Sequence, residues 1–132
     1  MQMRKKILVI EDEHEIRTIL AIAIEQDPEL EAVVARDGAE GIKAALEIKP
    51  DAILLDVLMP GLDGYAVCRR IKEHPEIKHI PIIFITAKSD CAEMARATEA
   101  GGCACLAKPF DPLQLPAKIK SIISGAEKQC EE

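Results

Sequence analysis

The sequence predicts an α/β fold with a parallel β-sheet, and two observations predict it. Short apolar runs of strand length recur along the 132-residue chain. Between these runs, apolar residues recur at the three-to-four-residue spacing that is typical of amphipathic helices. Five strands are therefore expected to alternate with five helices. This alternation indicates parallel strands, right-handed connections and helices on both faces of the sheet.

Each predicted strand is a short apolar run that ends at a charge, a proline or a turn. Such runs are too short for helices and long enough for buried strands. Glu31 interrupts the second run, and Pro81 stands near the start of the fourth, where a missing backbone donor is tolerated. In chain order the strands are Ile7–Ile10, Leu30–Ala35, Ala52–Leu55, Ile80–Ile85 and Cys103–Ala107.

The predicted helices are identified by apolar spacing and by the residues that begin and end them. Glu13 and Glu15 suit the first turn of the first helix, and Asp37 suits the cap of the second. A proline or a glycine pair ends each of the first four helices, and Pro116 falls in the first turns of the last. In chain order the helices cover about residues 13–27, 38–49, 65–74, 89–100 and 112–125.

The strand order that fits this length is 2-1-3-4-5, a doubly wound, flavodoxin-like sheet whose switch point lies between strands one and three. Sheets of this kind bind ligands at the carboxyl ends of the strands beside the switch point. Glu11 and Asp12 follow the first strand, and Asp56 ends the third. We therefore expect these three carboxylates to converge. We assign residues 1–125 to one domain and residues 126–132 to a polar C-terminal tail.

Composition restricts the classes of function. A hydrophobic fraction of 48% and a charged fraction of 30% are ordinary for a globular protein. The net charge of −6, with no basic stripe, argues against direct binding of nucleic acid. No apolar run is long enough to span a bilayer and no signal peptide is apparent, so we expect a cytoplasmic protein without membrane contact. The five cysteines lack the spacing of a zinc site and are expected to be reduced thiols that fill apolar space.

Three carboxylates at one edge of a sheet repel each other unless a positive group joins them. A hard divalent cation resolves this conflict, and Mg²⁺ typically takes one or two carboxylates, water and a phosphate as ligands. No histidine or cysteine ends these strands, which disfavours zinc and copper. The alternative is that the acids are caps, with Asp56 ending a strand and Glu13 beginning a helix.

Two further strand ends complete a pattern suited to phosphoryl transfer. Thr86 follows the fourth strand and Lys108 follows the fifth. Asp56 can attack a phosphorus atom to form an acyl phosphate, while the hydroxyl and the ammonium bind the incoming phosphoryl oxygens. The chain has neither of the glycine-rich loops that bind nucleotides. The phosphoryl group is therefore expected to come from a protein or a small phosphodonor.

In this order and spacing, these residues resemble the receiver domain of two-component response regulators, including the chemotaxis receiver. The resemblance covers about residues 5–124. The matching segments are Ile7–Glu13, Leu54–Gly64, Ile85–Ala87 and Leu106–Phe110. The resemblance implies that Asp56 accepts a phosphoryl group from a sensor histidine kinase or a histidine phosphotransfer protein. It also implies Mg²⁺ on Asp12, Asp56 and the backbone carbonyl of Leu58, with Glu11 acting through water.

The resemblance further implies a signalling domain rather than an enzyme. Its output would be a conformational change at the face formed by the fourth helix, fifth strand and fifth helix, read by an effector protein or a covalently linked output domain. One position departs from the family pattern, because Cys105 stands where members usually carry Tyr or Phe. In the usual mechanism Thr86 moves towards the phosphoryl group and the aromatic ring swings inward behind it. A thiol is too small to reproduce that movement, so we expect phosphorylation with only a small surface change near Cys105.

Two other functions fit parts of the same pattern. A Mg²⁺-dependent phosphatase would also use Asp56 as its nucleophile, but such enzymes usually carry an acid two residues later, where this chain has Leu58. A pseudo-receiver that only binds partners would take no phosphoryl group. The presence of Asp56, Thr86 and Lys108 argues against the pseudo-receiver, whereas Cys105 keeps that alternative open.

Overall fold

Five parallel strands form the centre of the fold. The structure is a computed structural model that describes residues 4–57, 64–86, 104–107 and 111–129, with the backbone alone for residues 86, 104–107 and 126–129. The strands are β1 (Lys5–Ile10), β2 (Leu30–Ala35), β3 (Ala52–Asp56), β4 (Ile82–Thr86) and β5 (Ala104–Ala107). Their order in the sheet is β2-β1-β3-β4-β5, and every pair is parallel. The predicted strand order is confirmed.

Four helices are described: α1 (His14–Glu25), α2 (Gly38–Ile48), α3 (Gly64–Lys72) and a C-terminal helix (Leu115–Gln129). The C-terminal helix is the fifth of the predicted helices, and the predicted fourth, at about residues 89–100, lies outside the described residues. Asp37 caps α2 as predicted, because its side chain accepts a hydrogen bond of 2.8 Å from the backbone N–H of Glu40. At the other end of α2, Lys49 adopts the left-handed conformation with φ 48° and Pro50 follows.

The C-terminal helix differs from its prediction at both ends. It begins at Leu115 rather than near Pro112, because a turn closed by the backbone N–H of Gln114 on the Asp111 carbonyl, at 3.0 Å, precedes it. It continues to Gln129, so the prediction that helical structure ends at Gly125 is wrong. One glycine inside a helix costs only about 1 kcal/mol relative to alanine, and the residues that follow Gly125 are good helix formers.

Two apolar layers cover the sheet, because successive side chains of each strand point to opposite faces. On one face, α2 and α3 pack over buried residues that include Leu8, Ile53 and Phe84. On the other face, α1 and the C-terminal helix pack over residues that include Val9 and Leu54. The strands therefore read as continuous apolar runs, since both faces of the sheet are covered.

The face under α3 contains an aromatic contact and a thiol. The rings of Tyr65 and Phe84 lie with their centroids 4.9 Å apart and their planes at 49°. Cys68 is buried in the same apolar layer, which agrees for this residue with the prediction that the cysteines fill apolar space. The other four cysteine side chains lie outside the described residues. None of the helices within the described ranges has both the length and the apolar character needed to cross a membrane.

Candidate functional site

Three carboxylates meet at the carboxyl edge of the sheet. Glu11 and Asp12 directly follow β1, and Asp56 is the last residue of β3. One carboxylate oxygen from each residue lies within 4.8 Å of the oxygens of the other two. Glu11 and Asp56 are almost fully buried, with 1% and 4% of their surface exposed, and Asp12 is half-buried. The predicted convergence of these three residues is confirmed, and we call them the acid cluster.

The pairing of β1 with β3 accounts for this convergence. Ile10 and Leu55 are partners in the parallel register, so the next residue on each strand is an acid. Backbone hydrogen bonds hold both strand ends to their neighbours: the N–H of Glu11 donates to the carbonyl of Ala35 at 3.1 Å, and the N–H of Val57 donates to Ile85 at 3.1 Å. The two acids therefore stand on strand ends that the sheet itself positions.

The chemistry of the acid cluster fits a hard divalent cation. All three donors are carboxylates, which hard cations prefer, and the group contains neither the imidazole nor the thiolate that zinc or copper would favour. Negative charges held this close repel one another, and a cation between them removes that repulsion. In the part of the chain that the structure describes, this is the one group of three or more acidic, histidine or cysteine side chains with metal-binding spacing.

The loop between β1 and α1 is organised around the carboxylate of Glu11. The backbone N–H of Glu13 donates to Oε2 of Glu11 at 3.1 Å, which orients that carboxylate. Glu13 itself occupies the N-cap position of α1, but its side chain makes no capping hydrogen bond. The interpretation of Glu13 as a helix cap is therefore wrong for its side chain, and its backbone serves the acid cluster instead.

Arg17 is a residue of this site that the sequence analysis missed. From the fourth position of α1 its Nη1 donates to the backbone carbonyl of Glu11 at 3.0 Å and, more weakly, to that of Asp12 at 3.4 Å. Its Nη2 lies 3.1 Å from Nδ1 of His14. The sequence contained a signal for this role, namely a basic residue near the start of α1. The positive end of the helix dipole disfavours a basic residue there. A basic residue there needs another partner, and the loop carbonyls supply it.

Gly64 is a second residue whose role was missed, since the sequence analysis used it only as the last residue of a segment that resembles the receiver family. It begins α3, and its backbone N–H donates to the carbonyl of Val57 at 2.7 Å. A Cβ at this position would collide with the backbone carbonyl oxygen of Asp56 and would lie 2.9 Å from Cα of Val57. Only glycine therefore allows α3 to begin this close to the end of β3.

The other predicted site residues are described in part or not at all. Thr86 is the last residue of β4, and its backbone pairs with Ala107 of β5. The partner of Asp56 on β4 is Ile85, so Thr86 stands one residue further along the neighbouring strand. Lys108 directly follows β5 and, like Leu58, lies outside the described residues.

The comparison with known families identifies the class of protein. The response regulator receiver domain matches residues 7–120, and the chain belongs to this family. The chain is 37% identical to the alkaline phosphatase synthesis transcriptional regulatory protein PhoP of Bacillus subtilis, over 95% of its own length and 51% of that protein. It is also 37% identical to the response regulator PleD of Caulobacter vibrioides, over 91% of its own length and 26% of PleD.

Solved structures agree with this assignment. The chemotaxis protein CheY4 of Vibrio cholerae superimposes with a TM-score of 0.84 at 26% identity, over 91% of this chain and 99% of CheY4. The chain thus spans nearly all of a chemotaxis protein, but only about half of the regulator PhoP. It is a receiver domain of the two-component type with an acidic site able to hold a metal ion.

Proposed function

We propose that this receiver domain accepts a phosphoryl group on Asp56 from the phosphohistidine of a sensor histidine kinase or a histidine phosphotransfer protein. One observation carries the proposal: Glu11 and Asp12 converge with Asp56 at the carboxyl edge of the sheet, in a chain that belongs to the receiver family. The edge beside the switch point is where sheets of this order bind ligands. An isolated strand-capping acid would not require two further acids beside it.

The proposed reaction is a transfer between two protein side chains. A carboxylate oxygen of Asp56 attacks the phosphorus atom and forms an acyl phosphate, while the phosphorus–nitrogen bond of the donor breaks. The electron pair of that bond returns to the donor imidazole. The Thr86 hydroxyl and the Lys108 ammonium are proposed to bind the phosphoryl oxygens, because the strands β4 and β5 lead to the same edge as β3.

Mg²⁺ is the cation that we assign to the acid cluster, with the backbone carbonyl of Leu58 as a further ligand and Glu11 acting through water. The donor set supports this assignment, since Mg²⁺ takes carboxylate and carbonyl oxygens. When bound, the cation would supply positive charge against both the carboxylates and the phosphoryl oxygens. The protein's own part is to hold Glu11, Asp12 and Asp56 within reach of one ion before the ion arrives.

The output that we propose is a conformational change at the face formed by the predicted fourth helix, β5 and the C-terminal helix. A downstream effector protein or a linked output domain would read this change, so the domain signals rather than catalyses turnover. The backbone of Cys105 pairs with that of Phe84, next to the phosphorylation edge. Because a thiol replaces the usual aromatic ring, we expect small backbone chemical-shift changes around Cys105 when beryllofluoride and Mg²⁺ are added. Large shifts across this face would contradict that expectation.

Intact-mass measurement after incubation with acetyl phosphate and Mg²⁺ tests the phosphoacceptor. The wild type is expected to gain the mass of one phosphoryl group, and Asp56→Asn none. Asp51→Asn is the matched control, because Asp51 precedes the same strand but accepts a hydrogen bond of 2.8 Å from the N–H of Lys6 at the opposite edge. This control should be phosphorylated like the wild type.

Three results would count against the proposal. If the wild type gains no mass with Mg²⁺ present, phosphoacceptor function is rejected. Retained Mg²⁺ binding in that case would favour a binding-only pseudo-receiver. If Asp56→Asn gains as much mass as the wild type, a different residue accepts the phosphoryl group. Multiple turnovers of a phosphomonoester without a lasting mass change would favour the phosphatase alternative, against which Leu58 stands in place of a general acid.

A further inference from the structure

The contact between Arg17 and the loop that carries the acid cluster has a geometric consequence. Nη1 of Arg17 donates to the carbonyls of two successive residues, Glu11 at 3.0 Å and Asp12 at 3.4 Å. In an extended strand, successive carbonyls point in opposite directions. One nitrogen can reach both only because the backbone leaves the extended conformation there. Arg17 therefore binds and stabilises a turn at the end of β1.

The turn at the end of β1 also allows two successive residues, Glu11 and Asp12, to contribute carboxylates to the same site. In a strand, the side chains of neighbouring residues lie on opposite faces, so Glu11 and Asp12 would be separated by the sheet. Their carboxylate oxygens nevertheless lie within 4.8 Å of each other and of an oxygen of Asp56. The turn that the guanidinium holds is thus the backbone feature that the acid cluster requires.

We propose that Arg17 is a positioning residue for the cation site of this domain. This role of Arg17 rests on the proposed function, because the cation is the one that we assign to the phosphorylation site. Arg17 contacts neither the phosphoryl group nor the cation in this scheme. It holds the Glu11–Asp12 turn in its binding conformation before the cation arrives, so that binding does not have to order the loop.

Electrostatics alone predicts the opposite effect. A guanidinium close to a cation site repels the cation, so removal of the charge by itself should strengthen cation binding. Positioning predicts that removal of the guanidinium weakens binding, because the free loop samples conformations in which Asp12 faces away from Asp56. The sign of the change in Mg²⁺ affinity therefore separates the two roles.

Calorimetric titration with Mg²⁺, without any phosphodonor, measures this sign directly. Arg17→Met keeps the apolar stem and removes the donors, and we expect it to bind Mg²⁺ about tenfold more weakly than the wild type, as is common when a group that orients metal ligands is lost. Arg17→Lys retains a charged donor that can reach the same carbonyls. We expect it to restore most of the affinity.

A charge control and a folding control accompany these variants. Arg36→Met removes an arginine that follows β2 at the same edge of the sheet, where it pairs with Glu40 at 3.2 Å, and it should bind Mg²⁺ at least as tightly as the wild type. Far-ultraviolet circular dichroism and thermal unfolding establish that each variant is folded. If Arg17→Met does not fold, Arg17→Gln replaces it, since its side chain is too short to reach the carbonyls and the same weakening is expected.

Wild-type or tighter Mg²⁺ affinity in the folded Arg17→Met or Arg17→Gln variant would overturn the proposal. A weakened affinity that Arg17→Lys does not restore would also overturn it. A wild type that binds no Mg²⁺ would reject both the cation assignment and the role of Arg17. Because the titration contains no phosphodonor, failure of phosphorylation at Asp56 is a separate result and would leave the measured effect of Arg17 on Mg²⁺ binding unchanged.

Discussion

Two clusters of charged residues stand at opposite edges of the same parallel sheet. At the carboxyl edge, Glu11, Asp12 and Asp56 bring three carboxylates within 4.8 Å of one another, and two of these residues are buried. At the amino end of β2, Nζ of Lys120 on the C-terminal helix lies 2.7 Å from Asp27 and 2.9 Å from Glu29. We call the second group the lysine cluster.

The carboxylates of the two clusters lie in opposite electrostatic environments, one beside a positive charge and the other beside negative charges. In the lysine cluster a hydrogen bond from Lys120 and one from the N–H of Glu29 hold the pKa of Asp27 below its ordinary value. The hydrogen bonds to Asp27 and Glu29 in turn raise the pKa of Lys120. The lysine cluster lies at the surface, where Lys120 and Asp27 are half-buried and Glu29 is exposed, so its ion pairs contribute little to stability. Its carboxylates already have Lys120 as a positive partner. The acid cluster instead holds like charges together, which opposes folding and prepares the site for a cation.

The substitution with the largest expected effect tests how closely α3 packs against the end of β3 at the carboxyl edge. Gly64→Ala should lower the free energy of unfolding by about 2 kcal/mol, because the new Cβ meets the backbone of Asp56 and Val57, which cannot move aside like a flexible side chain. Urea denaturation measures the change. The same variant should bind Mg²⁺ more weakly, because the end of β3 is displaced.

The control for this variant is the same substitution in open space. At Gly125, in the C-terminal helix, an added Cβ has no atom within 4 Å. Gly125→Ala should therefore stabilise the protein by up to about 1 kcal/mol through helix propensity. Equal destabilisation by both substitutions would show that the carboxyl edge is not specially constrained.

A pair of matched substitutions tests the contrast in sign between the two clusters. Without divalent cation, Asp12→Asn should raise the free energy of unfolding by about 1 kcal/mol, since it removes one of three like charges. Asp27→Asn should lower it, since it removes a partner of Lys120. Addition of Mg²⁺ should stabilise the wild type and Asp27→Asn, but Asp12→Asn much less. The contrast fails if both substitutions shift stability in the same direction without Mg²⁺.

The smallest expected effect is the pH dependence of the lysine cluster. Because the pKa of Asp27 is lowered, its contribution to the free energy of unfolding is present at neutral pH. That contribution is lost as the pH falls through the folded-state pKa of Asp27. The raised pKa of Lys120 means that its contribution is lost as the pH rises through the folded-state pKa of Lys120. The stability difference between the wild type and Lys120→Met should therefore be largest between these limits.

Thermal unfolding across pH measures this difference, and Lys118→Met provides the control because Lys118 is an exposed lysine of the same helix. High salt should reduce the effect of Lys120→Met, since exposed charges are screened. A difference that is the same at acidic, neutral and alkaline pH would indicate that the aliphatic stem of Lys120, and not its charge, makes the contribution.

The contacts within each cluster were predictable to different extents. Glu11, Asp12 and Asp56 were predictable because each follows or ends an apolar run, and the order of the runs predicts which strand ends are neighbours. The lysine cluster was not predictable, since Lys120 and Glu29 are 91 positions apart in sequence and both are ordinary surface residues by type. Arg17 and Gly64 were missed because their contacts depend on where a loop turns and how closely a helix approaches a strand.

The amino-acid sequence by itself determined the alternation of strands and helices, the strand order and the acids that share an edge. These features can be predicted from short stretches of sequence, because burial on each strand and helix requires a particular periodicity of apolar residues. The tertiary structure alone decided that Arg17 holds the loop of the acid cluster, that Gly64 lies against Asp56, and that Lys120 joins Asp27 and Glu29. These contacts depend on distances of a few ångströms between packed elements, and such distances are set only when the whole sheet and its helices are in place.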